Sequence, residues 1–249
     1  MSVLNWYDLV ANYSGKRLTF ASDKLPAISA IAQAVIKCTG ASYAAGLWEH
    51  EMIDELLWTR WQDLQSNKKT ADLETSGSPT WSWAAYDGAV STGLCREIDV
   101  ETKFATMNCV KIFPLDPKYD TGPVLGGVVT LSGPYANICF NDHADRSLSG
   151  VEAWGYCESQ TLFNFDLVTV VFDLASEEQA CTPALCIAMR QTSISSGIAC
   201  LIVRPDPDSD GSYVRVGAGS IWPRDPGTAN LSDRTLQSPP RHMKTVTIN

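Results

Sequence analysis

The sequence predicts a mainly β, α+β fold: an antiparallel β-barrel or sandwich carrying about three N-terminal helices. Three observations lead there. Apolar residues recur at helical spacing up to about residue 65, roughly nine β-branched or aromatic-rich segments follow, and a polar stretch at 66–78 separates the two regimes. The expected organisation is a helical segment over 1–66 packed on a β domain over 78–249, as one structural unit.

Trp6, Leu9, Val10 and Tyr13 share one helical face, and Ser14-Gly15-Lys16 ends that segment. The second has a capping signal at Ser22-Asp23 and Pro26 in its first turn. Its stripe is Ile28, Ile31, Ala32, Val35 and Ile36, and Gly40 lies just past its end. The third is expected from about His50 to Gln65, with Ile53, Leu56, Leu57, Trp61 and Leu64 inward. Glu49, Glu51, Asp54 and Glu55 surround its start, where the helix dipole favours acids. The strands are expected at 80–86, 107–113, 126–131, 136–140, 151–156, 167–174, 184–189, 198–204 and 212–221, with a final edge strand at 243–248.

Bulk properties narrow the function. A chain of 249 residues that is 45% hydrophobic needs no metal or disulfide staple, because at this size roughly three quarters of the unfolded surface is buried. A formal charge of −9 disfavours nucleic acid, whose phosphates draw on clustered Lys and Arg. It equally disfavours an anionic membrane surface. The longest purely apolar runs are about six residues, against the roughly 20 that span a bilayer. With no secretion signal visible after Met1, the expected location is cytoplasmic. The eight cysteines are then read as reduced thiols, several of them inside apolar runs such as Ala199-Cys200-Leu201.

Motifs for common chemistries are missing. Asp206-Pro207-Asp208-Ser209-Asp210-Gly211 begins like a calcium loop, but its twelfth position is Gly217, so a β-hairpin turn is the better account. Asn141-Asp142-His143-Ala144-Asp145 places a histidine between acids without a second histidine at metal spacing, which favours a solvated loop. Cys181 and Cys186 lack redox or zinc spacing. No phosphate cradle or nucleophile elbow occurs. The expectation is a chain with no cofactor and no metal.

Tryptophan is the unusual feature, with eight in the chain. On a strand, Trp81 and Trp83 would point to one face. Two indoles there could floor an apolar pocket, each N–H orienting a carbonyl; the alternative is core packing between helices and sheet.

One resemblance covers nearly the whole chain. Asp23-Lys24-Leu25-Pro26-Ala27-Ile28, Tyr43-Ala44-Ala45-Gly46-Leu47-Trp48, Leu56-Leu57-Trp58 and Pro79-Thr80-Trp81-Ser82-Trp83-Ala84 occur in order, followed by Gly211-Ser212-Tyr213-Val214-Arg215-Val216-Gly217. This series resembles the region that follows the effector domain in fungal heterokaryon-incompatibility proteins. The resemblance implies a fungal, intracellular protein. Met1 stands a few residues before the first matching Trp, so the expectation is that region without its effector domain, and the family supplies no catalytic residues for it.

Two functions follow as expectations. The first is a cofactor-independent isomerase or cyclase of secondary metabolism, a Diels–Alder type pericyclase for instance, acting on an apolar small molecule in an aromatic-lined pocket. Trp81, Trp83, Tyr86 and Trp154 would be its walls, and Asp87 and His143 its polar catalytic contacts. The second is a non-catalytic ligand- or partner-binding module derived from allorecognition proteins, which would show an exposed apolar patch rather than a closed cavity.

Overall fold

A computed structural model describes residues 3–16, 18–61, 77–86, 88–94, 102–140, 152–157, 165–172, 184–192, 197–223 and 243–249; for 3–5, 139–140, 152–157, 165–172 and 222–223 the backbone alone is described. The α+β class expected from the sequence is the one adopted, with strands dominating. Helix α1 spans Val3–Ser14 and α2 spans Lys24–Thr39. Gly40 closes α2 in the left-handed region at φ +71°, its N–H donating to the Ile36 carbonyl. Asp23 does stand at the N-cap of α2, but its side chain makes no capping bond.

Two short strands, β1 (Tyr43–Ala44) and β2 (Leu47–Trp48), form a hairpin, and one helical turn, α3 (Met52–Glu55), follows. The helix expected as far as Gln65 is therefore a single turn. Leu57 N–H already bonds back to Asp54 O at 3.0 Å, a tightened last turn. The chain then becomes β3 (Thr59–Arg60), which pairs with β4 (Val90–Ser91). Trp61, expected inward, is 63% exposed; Leu64 and Gln65 lie outside the described residues.

Eight longer strands make one sheet: β5 (Thr106–Pro114), β6 (Val124–Phe140), β7 (Glu152–Cys157), β8 (Phe165–Phe172), β9 (Ala184–Gln191), β10 (Ile198–Pro205), β11 (Tyr213–Pro223) and β12 (Met243–Ile248). Two expected strands, 126–131 and 136–140, are one continuous β6. The Gly133-Pro134 step does not break it because β6 changes neighbours there. On one side it pairs β5 up to Ser132 and β9 from Tyr135, so Pro134, which has no N–H to give, falls in the gap. Ladders continue antiparallel from β6 to β9, β10, β11, β8 and β7, and β7 returns to β6 at Ile138↔Cys157. The last strand, expected at an edge, lies between β6 and β11.

Strands β9 and β10 are buried on both faces. Alternation sorts their side chains into two cores. Leu185, Ile187, Met189, Ala199, Leu201 and Val203 join the larger core, which also takes Trp6, Ile28, Trp48, Leu56 and Trp81. Cys186, Ala188, Ile198, Cys200 and Ile202 face the opposite way into a smaller one. The larger core thus joins the N-terminal elements to one face of the sheet. No helix of the described residues is long and apolar enough to cross a membrane.

Candidate functional site

The β1–β2 turn organises the aromatic residues. Ala44 pairs with Leu47, leaving Ala45 and Gly46 as a two-residue connection with φ +44° and +99°. Both left-handed values suit the turn geometry of a tight hairpin. Its carbonyls are then used as anchors. Ser82 Oγ donates to Ala45 O at 2.6 Å, while Trp6 Nε1 and Trp83 Nε1 donate to Gly46 O at 3.2 and 3.0 Å. A Cβ on Gly46 would lie 2.6 Å from Trp83 Nε1, so the indole's approach itself demands glycine. Three segments far apart in sequence thereby meet at one turn.

The tryptophan pair does not sit on a strand. Residues 80–82 are a turn and Trp83–Ala85 a 3₁₀ turn capped by Ser82 Oγ, which accepts from Ala84 N. The two indoles consequently diverge. Trp81 lies over Gly127 of β6 and donates Nε1–H to its carbonyl at 3.2 Å. Trp83 turns to Gly46 and meets Tyr13 of α1 edge to face at 6.0 Å. Both are fully buried with their N–H groups taken by backbone. Tyr86 is also buried: its ring lies between Trp58, stacked at 6.4 Å, and the Arg60 guanidinium at 4.9 Å, and its hydroxyl accepts from Arg60 Nε at 2.8 Å. Trp154 belongs to β7, whose backbone alone is described, and Asp87 and His143 lie outside the described residues.

Several buried charges carry no obvious sequence signal. Arg215 of β11 lies 3.6 Å over the Trp58 ring and donates Nη2–H to Trp58 O and Nε–H to Leu56 O, the latter at 3.4 Å. A desolvated cation over an indole is worth about 2 kcal/mol or more. Asp54 of α3 is buried between Arg190 Nη1 at 2.7 Å and Lys103 Nζ at 2.6 Å. It ties α3 to β9 and is not a solvated acid at a helix start. Glu55 is buried beside it. One of its oxygens accepts Trp48 N–H, and the other, Oε1, has no partner. Beside it lies a void of about 10 Å³ lined by Trp6, Tyr7, Leu47, Trp58, Trp83 and Thr92 among others. Burial pushes the Glu55 carboxyl well above the ordinary range, the Trp48 N–H opposing this and the Glu51 and Asp54 charges adding to it.

A different region meets solvent. The β5–β6 hairpin projects Phe113, Leu115, Tyr119 and Leu125, four of the eight exposed large apolar side chains among the described residues. Phe113 pairs with Gly126 and Pro114 with Val124, so Leu125 is the extra residue of a β-bulge and is 69% exposed. The hairpin is anchored below its tip, where Thr121 is buried and accepts from Gln33 Nε2 of α2 at 3.0 Å, and Val124 is buried. Over residues 106–125 the charges are Lys111 and Lys118 against Asp116 and Asp120, a net of zero within a chain of −9. Sequence reading missed this arm because its apolar residues alternate as strand residues should. A half-apolar outer face does not distinguish itself from an inner one by pattern alone.

Comparison with protein-family models, with curated proteins and with solved structures finds no match in any of the three.

Proposed function

We propose that this chain is a non-catalytic, partner-binding module, with the β5–β6 hairpin as its docking arm and a protein chain as its partner. The reading rests on one observation: an electrically neutral arm of an acidic molecule presents Phe113, Leu115, Tyr119 and Leu125 to water together. Grouped apolar side chains on a soluble surface mark interaction sites, whereas single ones need no explanation. β5 adds a second element, since among the described strands it pairs only with β6 and so offers its outer edge to an incoming strand. The resemblance to fungal heterokaryon-incompatibility proteins implies a ligand- or partner-binding module, and the arm favours the partner.

The cyclase reading has less support. Its paired indoles, Trp81 and Trp83, are buried with both N–H groups engaged, so neither is free to orient a substrate carbonyl. The void beside Trp83 is of water size, far below the several hundred Å³ of a small-molecule site.

Photo-crosslinking tests the proposal. A photoreactive residue at Leu125, in the full chain expressed in its source cells, is expected to trap one protein, and the same residue at exposed Asp210, in the turn between β10 and β11, is expected to trap less of it. The purified pair should then bind, and Phe113→Ser/Leu125→Ser should abolish binding while changing stability by no more than about 0.5 kcal/mol. A crosslink to a second copy of the chain would make the contact homotypic. Undiminished binding by the double variant would overturn the assignment of the arm.

A further inference from the structure

We infer that Glu55 is a built-in proton sensor: its buried carboxyl, with one oxygen lacking any donor, is accommodated in its protonated form, and loss of that proton unseats α1 from the β1–β2 turn. The geometry carries this. Glu55 Oε2 has a single donor in Trp48 N–H, and Oε1 has none, although the carboxyl is buried and borders the void. The void, about 10 Å³, has room for no more than about one water, so solvent does not compensate a charge there. An ionised carboxylate would need two to four donors or a cation there, and a bare buried charge is costly.

The titratable groups around it offer no relief. Glu51 and Asp54 on its own segment are acids, Asp54 being already engaged by Arg190 and Lys103. Tyr43 from β1, raised above the ordinary tyrosine range by burial, is a neutral phenol, and Tyr7 from α1 is the phenol in the void's lining. Among the described residues, no Lys, Arg or His lines the void. One wall of the void is α1, which contributes Trp6, Tyr7 and Val10. It is held at the turn by the Trp6 Nε1–Gly46 O bond and at its end by Ser14 Oγ, which accepts from Val90 N. Charging Glu55 draws water toward the carboxylate, and the seat that yields is the one made by Trp6.

The sign follows from linkage. The folded chain holds this proton more tightly than the unfolded one, so the stability it contributes is full below the ordinary glutamate range and is lost as pH rises through the raised folded value. In urea titrations of the full chain between about pH 5 and about pH 8, which starts just above the ordinary glutamate value, the wild-type midpoint is expected to fall. Glu55→Gln, which keeps the shape and cannot ionise, is expected to show a smaller fall and a higher midpoint at the alkaline end. Over the same range, acrylamide quenching of tryptophan emission should rise in the wild type and stay flat in E55Q. Should E55Q fail to fold, infrared spectroscopy of the wild type decides instead, through a protonated-carboxyl band that persists at neutral pH. Identical pH dependence in wild type and E55Q, or no such band, would overturn the inference.

Discussion

Single atoms set the limits at the β1–β2 turn, where Gly46 must combine a positive φ with an indole nitrogen pressed against its Cα. Gly211, in the turn between β10 and β11, shares the positive φ at +81° but would meet nothing within 4 Å if it carried a Cβ. Comparing alanine at the two positions separates backbone strain from crowding. Gly211→Ala should cost about 1–2 kcal/mol, the left-handed penalty alone. Gly46→Ala should cost at least about 2 kcal/mol more, because overpacking is added and Trp83 is anchored by its own hydrogen bond. Urea denaturation with a tryptophan readout checks both, and equal losses would remove crowding from the explanation. At this scale the sequence was partly legible. That Trp81 and Trp83 matter was visible in their number and spacing. Their divergence was not, because a 3₁₀ turn and a strand both accept Thr80-Trp81-Ser82-Trp83, and the choice was made by distant carbonyls of Gly46 and Gly127.

Among the elements, α3 shows how tertiary contacts override periodicity. Ile53, Leu56 and Leu57 fit a helical stripe, yet one turn already buries all three, and Arg215 then captures the carbonyls of Leu56 and Trp58. The chain leaves the helix to pair Thr59–Arg60 with Val90–Ser91. The short turn is fixed to the sheet by Asp54, and its two cations differ in environment: Arg190 is buried, while the Lys103 side chain is 44% exposed. Asp54→Asn should therefore cost about 3–5 kcal/mol, since it strands a buried guanidinium. Lys103→Ala should cost about 1 kcal/mol or less, as exposed pairs do. Thermal unfolding of the two variants side by side tests this, and comparable losses would mean that the carboxylate rather than the buried guanidinium sets the energy. The long strands were the readable part. Residues 184–189, 198–204 and 243–248 were expected within a residue or two of their ends, because β-branched runs between turn residues leave few alternatives. What the pattern hid was neighbour choice: β12 lies inside the sheet, and β6 runs through a proline.

For the molecule as a whole, the N-terminal elements and one face of the sheet share a core of buried residues in which Trp6, Trp48, Trp58, Trp81 and Trp83 all take part. Indoles whose N–H groups end on backbone carbonyls act as mortar between segments. The β5–β6 arm has no net charge in a chain of −9, and it carries four of the eight exposed large apolar side chains among the described residues. A solvatochromic apolar dye that accepts energy from tryptophan tests this division most directly. The account expects weak dye binding to the native chain, little energy transfer from the core indoles, and loss of the binding in Phe113→Ser/Leu125→Ser at unchanged melting temperature. Strong saturable binding that persists in the double variant with efficient transfer from tryptophan would contradict it, since the guest would then occupy the aromatic interior.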